Sequence, residues 1–121
     1  MHKAKILVVD DSPTHRQLIT RPLQSSGYRV VVAMDGEEAL EKASRENPDL
    51  IVLDVIMPKK NGFQVCRQLR STSETKDIKI IMMTSKDQPS DRFWGLKQGA
   101  DQYMTKPFDE QELLDRIANL L

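Results

Sequence analysis

The chain has 121 residues, enough for one domain with a substantial core. Eighteen basic and eighteen acidic side chains cancel, and no apolar run approaches membrane-spanning length, so neither nucleic acid nor a membrane is an expected partner. The single Cys66 excludes an internal disulfide and fits a reducing cytoplasm, while His2 and His15 are too few and too poorly companioned for a zinc site.

Lys5 to Val9 is a buried-strand run that ends in two carboxylates, Asp10 and Asp11. Ser12-Pro13 then starts a helix, with a capping hydroxyl and a proline in the first turn. Leu18, Ile19 and Leu23 give this helix an apolar face, Pro22 should kink or shorten it, and Gly27 closes it. Val30 to Ala33 make a second strand. Asp35-Gly36 turns the chain into a helix over 37–45 with Ala39, Leu40 and Ala43 inward, and Asn47-Pro48 stops it.

Leu50 to Leu53 is an unbroken apolar run of strand length, β-branched and apolar on both faces, so it belongs in the middle of a parallel sheet. It delivers Asp54 to its carboxyl end, and Pro58 blocks any continuation. Asp also initiates turns, so taken alone Asp54 is as readily a turn residue as a site. Asn61-Gly62 opens a third helix with Phe63, Cys66 and Leu69 at helical spacing, where Cys66 reads as a small core residue rather than a nucleophile. A fourth strand over 78–84 ends in the hydroxyls Thr84 and Ser85. Pro89 begins a helix with Gly95 inside it, Gln102 to Thr105 form a short fifth strand ending at Lys106-Pro107, and Glu110 to Leu121 close with an amphipathic helix.

Five strands alternating with five helices predict an α/β doubly wound parallel sheet, and the order 2-1-3-4-5 fits the count. That order sets strands one and three side by side, so Asp10, Asp11 and Asp54 meet at one edge, flanked by Thr84 and Lys106. Three carboxylates gathered there repel one another, at roughly 4 kcal/mol per pair about 4 Å apart. Lys106 offsets one charge, and the remainder suits a hard divalent cation with oxygen ligands, Mg²⁺ rather than zinc. Neither Gly-x-Gly-x-x-Gly nor a P-loop is present, so phosphate chemistry would rest on metal, lysine and hydroxyl. Carboxylates accept phosphoryl groups covalently. Asp54 is the best acceptor, because the adjacent Asp10 and Asp11 are better placed to share a cation.

These residues carry a resemblance to the response-regulator receiver domains of two-component signalling, over essentially the full chain. Its pieces are Val9-Asp10-Asp11-Ser12, Leu53-Asp54-x-x-Met57-Pro58, Asn61-Gly62, Thr84-Ser85, Gly99-Ala100-Asp101-x-Tyr103 and Lys106-Pro107-Phe108. Each is weak alone, and all in order at this spacing are highly specific. The resemblance implies a CheY-like fold in which Asp54 takes a phosphoryl group from a histidine-kinase phosphohistidine. It implies that Asp10, Asp11, Asp54 and the backbone carbonyl of Ile56 hold Mg²⁺, and that Thr84 and Lys106 bind phosphoryl oxygens. The Lys106–Pro107 bond would be cis, and Ile56 and Lys86 would tune phosphoryl lifetime. Tyr103 would be a switch aromatic that rotates inward when Thr84 turns toward the phosphoryl group, with Trp94 on the output face and Phe93 at least as readily a core residue. Trp94-Gly95-x-x-Gln98-Gly99-Ala100 with Lys86-Asp87-Gln88 is most similar to the stand-alone regulators of twitching motility and chemotaxis-like systems.

On this reading residues 1–121 are a single receiver domain without an output domain, a cytoplasmic monomer that signals through a downstream protein target or serves as a phosphate sink. An Mg²⁺-dependent phosphatase with an Asp nucleophile is the enzyme alternative, but Asp54-Val55-Ile56 lacks the second acid of Asp-x-Asp. A pseudo-receiver that binds without being phosphorylated is the second alternative, disfavoured by the presence of all five site residues.

Overall fold

In the computed structural model, which describes residues 4–85 and 89–121, every apolar run singled out above is a strand. The strands β1 (Lys5–Val9), β2 (Arg29–Ala33), β3 (Leu50–Asp54), β4 (Lys79–Thr84) and β5 (Gln102–Thr105) alternate with five helices. These are α1 (Pro13–Ser25), α2 (Gly36–Glu46), α3 (Gly62–Arg70), α4 (Pro89–Lys97) and α5 (Glu110–Leu120). The sheet is parallel with the order β2-β1-β3-β4-β5, as the element count predicts.

Successive residues of a strand face opposite sides of the sheet, and here both sides are covered. Ile6, Val8, Leu50, Val52, Ile81 and Met83 pack with Ile19, Leu23, Leu113 and Ile117, which belong to α1 and α5. Leu7, Val9, Ile51, Leu53, Ile80 and Met82 pack with Ala39, Ala43, Val65, Cys66 and Leu69, from α2 and α3. The helices start where the sequence offers caps. Ser12, Asp35, Asn61 and Asp109 each accept from a backbone N–H three residues on, and Asn61 with Gln64 completes a capping box.

Some expectations are corrected. Pro22 does not shorten α1, which continues to Ser25 with the proline buried beside Ile19 and Leu23. Leu18 is 55% exposed, because it lies one residue, about 100° around the helix, from the inward Ile19. On α3 the core stripe is Gly62, Val65, Cys66 and Leu69, with Phe63 only partly buried. Leu121 lies beyond the last turn of α5 and is exposed. The Cys66 thiol donates to the Gln98 carbonyl at 3.4 Å and burial pushes it up to about 11, which suits a core residue and not a nucleophile.

One guanidinium holds the far end of the sheet. Arg70, at the end of α3, donates to the carbonyls of Gly99 (2.8 Å), Lys76 (2.9 Å) and Ile78, and to Asp101 Oδ2 (2.9 Å). Asp101 Oδ2 also accepts from Ile80 N at 2.8 Å, so β4, the loop before it and the turn before β5 share one node. Removing the side chain strands several partly buried acceptors. Arg70→Ala is therefore expected to cost about 2–3 kcal/mol in urea unfolding, against near zero for a solvated surface arginine.

Candidate functional site

The register Val9↔Leu53 places β1 and β3 side by side, and the next residues along β1 and β3 are Asp10 and Asp54. Both carboxylates thus emerge at the carboxyl edge of the sheet, at the switch in strand order where open α/β folds bind ligands. Asp10 is fully buried, Asp54 is 7% exposed and Asp11 is exposed. One carboxylate oxygen from each of Asp10, Asp11 and Asp54 lies within 4.8 Å of the others. This is an all-oxygen donor set with one side open to water, and it fits a hard divalent cation.

Lys106 enters from the end of β5. Its backbone N–H donates to the Thr84 carbonyl at 2.8 Å, which ties it to the end of β4, and the Lys106–Pro107 peptide is cis. Its Nζ lies 2.7 Å from Asp10 Oδ2 and 3.6 Å from Asp54 Oδ2. Lys106 therefore joins the two buried acids, as expected. Asp10 also accepts from the Ser12 N–H at 2.9 Å through its other oxygen, Oδ1.

Burial pushes the Asp54 carboxyl up to about 6, and the neighbouring Asp10 charge pushes the same way. Lys106 and the N–H groups of Ile56 and Val55 pull it back, but less than burial raises it. At neutral pH Asp54 is an under-compensated carboxylate, held at a mouth that a cation or a phosphoryl group can enter.

Thr84 is fully buried at the end of β4, one residue past Met83, the β4 partner of Asp54. Ile56 is 55% exposed in the loop after Asp54, and Lys86 lies outside the described residues. Tyr103 is 2% exposed, so its ring already stands inward. Arg92 lies over that ring, 5.3 Å from its centroid, and donates to the Tyr103 carbonyl at 3.0 Å. Phe93 and Trp94 are each 52% exposed, with ring centroids 5.8 Å apart. The exposure of Trp94 agrees with a place on an outer face, and the alternative that Phe93 is a core residue is corrected. Gly95 takes the inward position of α4, and a Cβ there would come within 2.7 Å of the Tyr103 ring. Both aromatics are left on the solvent side.

Two basic side chains without a motif to mark them also stand near this mouth. His15 Nδ1 lies 3.1 Å from Lys106 Nζ and 3.9 Å from Asp10 Oδ2. Arg16 Nη1 donates to the Asp10 carbonyl at 2.8 Å. Their position in the first turn of α1, directly after the Asp10-Asp11-Ser12 run, was the available signal.

Residues 6–118 match the family described as the response regulator receiver domain, and the chain belongs to that family. It is a phosphoacceptor regulator of the two-component class. The chain is 45% identical to protein PilH of Pseudomonas aeruginosa over 98% of both chains. It is 50% identical to the alkaline phosphatase synthesis transcriptional regulatory protein PhoP of Bacillus subtilis, over 97% of this chain but 48% of PhoP. It thus spans nearly all of one relative and about half the length of the other. Among solved structures, the chemotaxis response regulator CheY4 of Vibrio cholerae superposes with a TM-score of 0.91 at 39% identity over 98% of each chain. The receiver domain of a sensor histidine kinase from Pseudomonas aeruginosa, with a magnesium ion in its active-site cleft, gives 0.90 at 32% identity, covering 97% of this chain and 96% of that one.

Among the described residues no helix is long and apolar enough to cross a membrane.

Proposed function

We propose that Asp54 is the phosphoacceptor and that a histidine-kinase phosphohistidine is its donor. The observation that carries this reading is the buried Asp54 carboxylate at a mouth shared with Asp10 and Asp11, with Lys106 Nζ 3.6 Å away. One Asp54 carboxylate oxygen attacks phosphorus in line, the P–N bond breaks, and its electron pair leaves with the donor imidazole. Asp10, Asp11, Asp54 and the carbonyl of Ile56 would hold Mg²⁺, which supplies charge neutralisation at the phosphoryl oxygens. Lys106 neutralises charge on the same oxygens, Thr84 donates to one of them, and Ile56 and Lys86 tune the lifetime.

The molecule in this reading is modified once per signal rather than turning over a substrate. It works as a cytoplasmic monomer through its receiver domain, in motility or chemotaxis-like control. Its output is a protein contact on the α4–β5–α5 face, where Trp94 is exposed and Tyr103 lies beneath. The test is mass spectrometry of the intact protein with a small phosphodonor and Mg²⁺. Wild type is expected to gain one phosphoryl group and Asp54→Asn none; equal labelling of both would refute the assignment.

Two further results are expected. Asp11→Asn removes a ligand without emptying the core, and should weaken Mg²⁺ binding by about tenfold or more in calorimetry. Unchanged affinity would count against the ligand set. Phosphorylation should also alter the emission of Trp94, the only tryptophan, in wild type but not in Asp54→Asn. A phospho-dependent change in amide shifts confined to the mouth, never reaching Trp94 or α5, would show the output face to be wrong.

A further inference from the structure

We infer that His15 is a positioning residue for Lys106, accepting one of its ammonium hydrogens and fixing where that charge stands before the phosphoryl group arrives. The inference rests on Asp54 being the phosphoacceptor and Lys106 its counter-cation. A lysine ammonium has three donors and no acceptor, so a contact at 3.1 Å requires His15 Nδ1 to carry its lone pair and the ring proton to sit on Nε2. The three donors then have three directions. One goes to Asp10 Oδ2 at 2.7 Å, one to His15 Nδ1 at 3.1 Å, and the third faces Asp54 Oδ2 at 3.6 Å. That last distance is an ion-pair separation, longer than a good hydrogen bond. The donor aimed at Asp54 is thus the one left for an incoming oxygen.

Fixing two of the three donors has a kinetic consequence. Lysine is a point charge on a flexible four-carbon stem, and it loses rotamer freedom on being held. A charge already placed when the transition state forms needs no reorganisation. Asp10 alone leaves the ammonium free to turn about the Nζ···Oδ2 line, and the His15 ring removes that freedom. His15 itself is set by α1. Its backbone N–H donates to the Ser12 side chain at 3.3 Å, in the capped first turn directly after Asp10 and Asp11. The ring also borders an open groove of about 430 Å³ with Leu18, Ile19, Pro107 and Phe108.

The test compares His15→Leu, which keeps bulk but loses the acceptor, with His15→Asn, whose Oδ1 can stand near the position of Nδ1. Phosphorylation by phosphoramidate with Mg²⁺ should slow about fivefold in His15→Leu and recover most of the wild-type rate in His15→Asn. In a Lys106→Met background the His15→Leu substitution should add no further slowing, which marks an effect routed through Lys106. Equal rates in wild type, His15→Leu and His15→Asn, or an undiminished effect of His15→Leu without Lys106, would overturn the inference. If bulk at the mouth were what mattered, His15→Asn would be the faster variant and His15→Leu would match wild type, which also overturns it. A second measurement does not depend on phosphorylation. The imidazole ¹⁵N shifts of His15 in the metal-free protein at mildly alkaline pH should report a bare Nδ1, perturbed in Lys106→Met. An Nδ1–H tautomer refutes the contact even if Asp54 is labelled. A wild type that takes no phosphoryl group, with the expected ¹⁵N signature, instead refutes the phosphoacceptor reading on which the kinetic role depends, and the kinetic role falls with it.

Discussion

Asp54→Asn is expected to make the metal-free protein more stable at neutral pH, by about 2–3 kcal/mol, while abolishing phosphoryl uptake. The carboxyl is raised to about 6 in the folded chain, against roughly 3.9 when unfolded. The folded state therefore binds the proton more tightly than the unfolded state does. The stability this contributes is fully present below about pH 4 and is lost as pH rises through about 6. Above that, folding keeps a carboxylate that burial and Asp10 disfavour, at about 1.4 kcal/mol per unit of the shift. Asparagine fills nearly the same volume and never ionises. Its advantage over wild type should be small at about pH 4, grow through the window and level off near pH 7. Urea unfolding of both proteins across this range measures the difference directly, and a pH-independent difference would contradict the assigned environment. A divalent cation should reverse the order, since binding to the folded state alone stabilises it and Asp54→Asn gives up part of the donor set.

The parts of this site that could be read from the sequence are those fixed by strand periodicity. β1 and β3 are apolar on both faces, which identifies them as central parallel strands, and an acid stands next after the paired Val9 and Leu53 in each, at the same phase of the pleat. Once the strand order is known, Asp10 and Asp54 must meet. Lys106 and Thr84 follow by the same logic, since Thr84↔Thr105 pairs the ends of β4 and β5 just before the lysine.

What could not be read depends on which long side chain finds which distant partner. Lys106 and His15 are 91 residues apart, and Arg70 reaches Gly99 and Asp101 across 29 and 31. No local pattern encodes such a pairing. The exposure of Phe93 was hidden for a related reason. Helical spacing leaves open which residue of α4 faces the sheet, and the inward ring of Tyr103 decides it by leaving room only for Gly95. Leu18 was misread because α1 buries a narrower stripe than its apolar residues suggest, with Pro22 taking a core position.

The largest single loss of stability is expected from Gly62→Ala. In the first turn of an exposed helix this change would ordinarily stabilise, because it removes backbone freedom from the unfolded chain. Here α3 begins hard against the strand that carries Asp54. The Gly62 N–H donates to the Val55 carbonyl at 2.8 Å. A Cβ at this position would stand 2.4 Å from the Asp54 carbonyl oxygen, 2.8 Å from Val55 Cα and 3.1 Å from the Asp54 carbonyl carbon. These are backbone atoms of a buried strand end, so no side-chain rotation relieves the contact. Either α3 lifts away, taking Val65, Cys66 and Leu69 partly out of the core, or the Asp54–Val55 peptide turns and Asp54 leaves its place beside Asp10 and Lys106. Both routes are costly, and the expected loss is more than about 3 kcal/mol in urea unfolding. The two routes are distinguishable in whatever fraction folds. Lifting α3 leaves the mouth intact, so Mg²⁺ affinity should hold while the amide shifts of α3 move. Turning the peptide should weaken Mg²⁺ binding and slow phosphorylation together, and this is the outcome expected, because the tightest contact is with the Asp54 carbonyl itself. A Gly62→Ala protein as stable as wild type, with unchanged Mg²⁺ affinity, would mean that the helix start is not seated on the phosphoacceptor strand in solution.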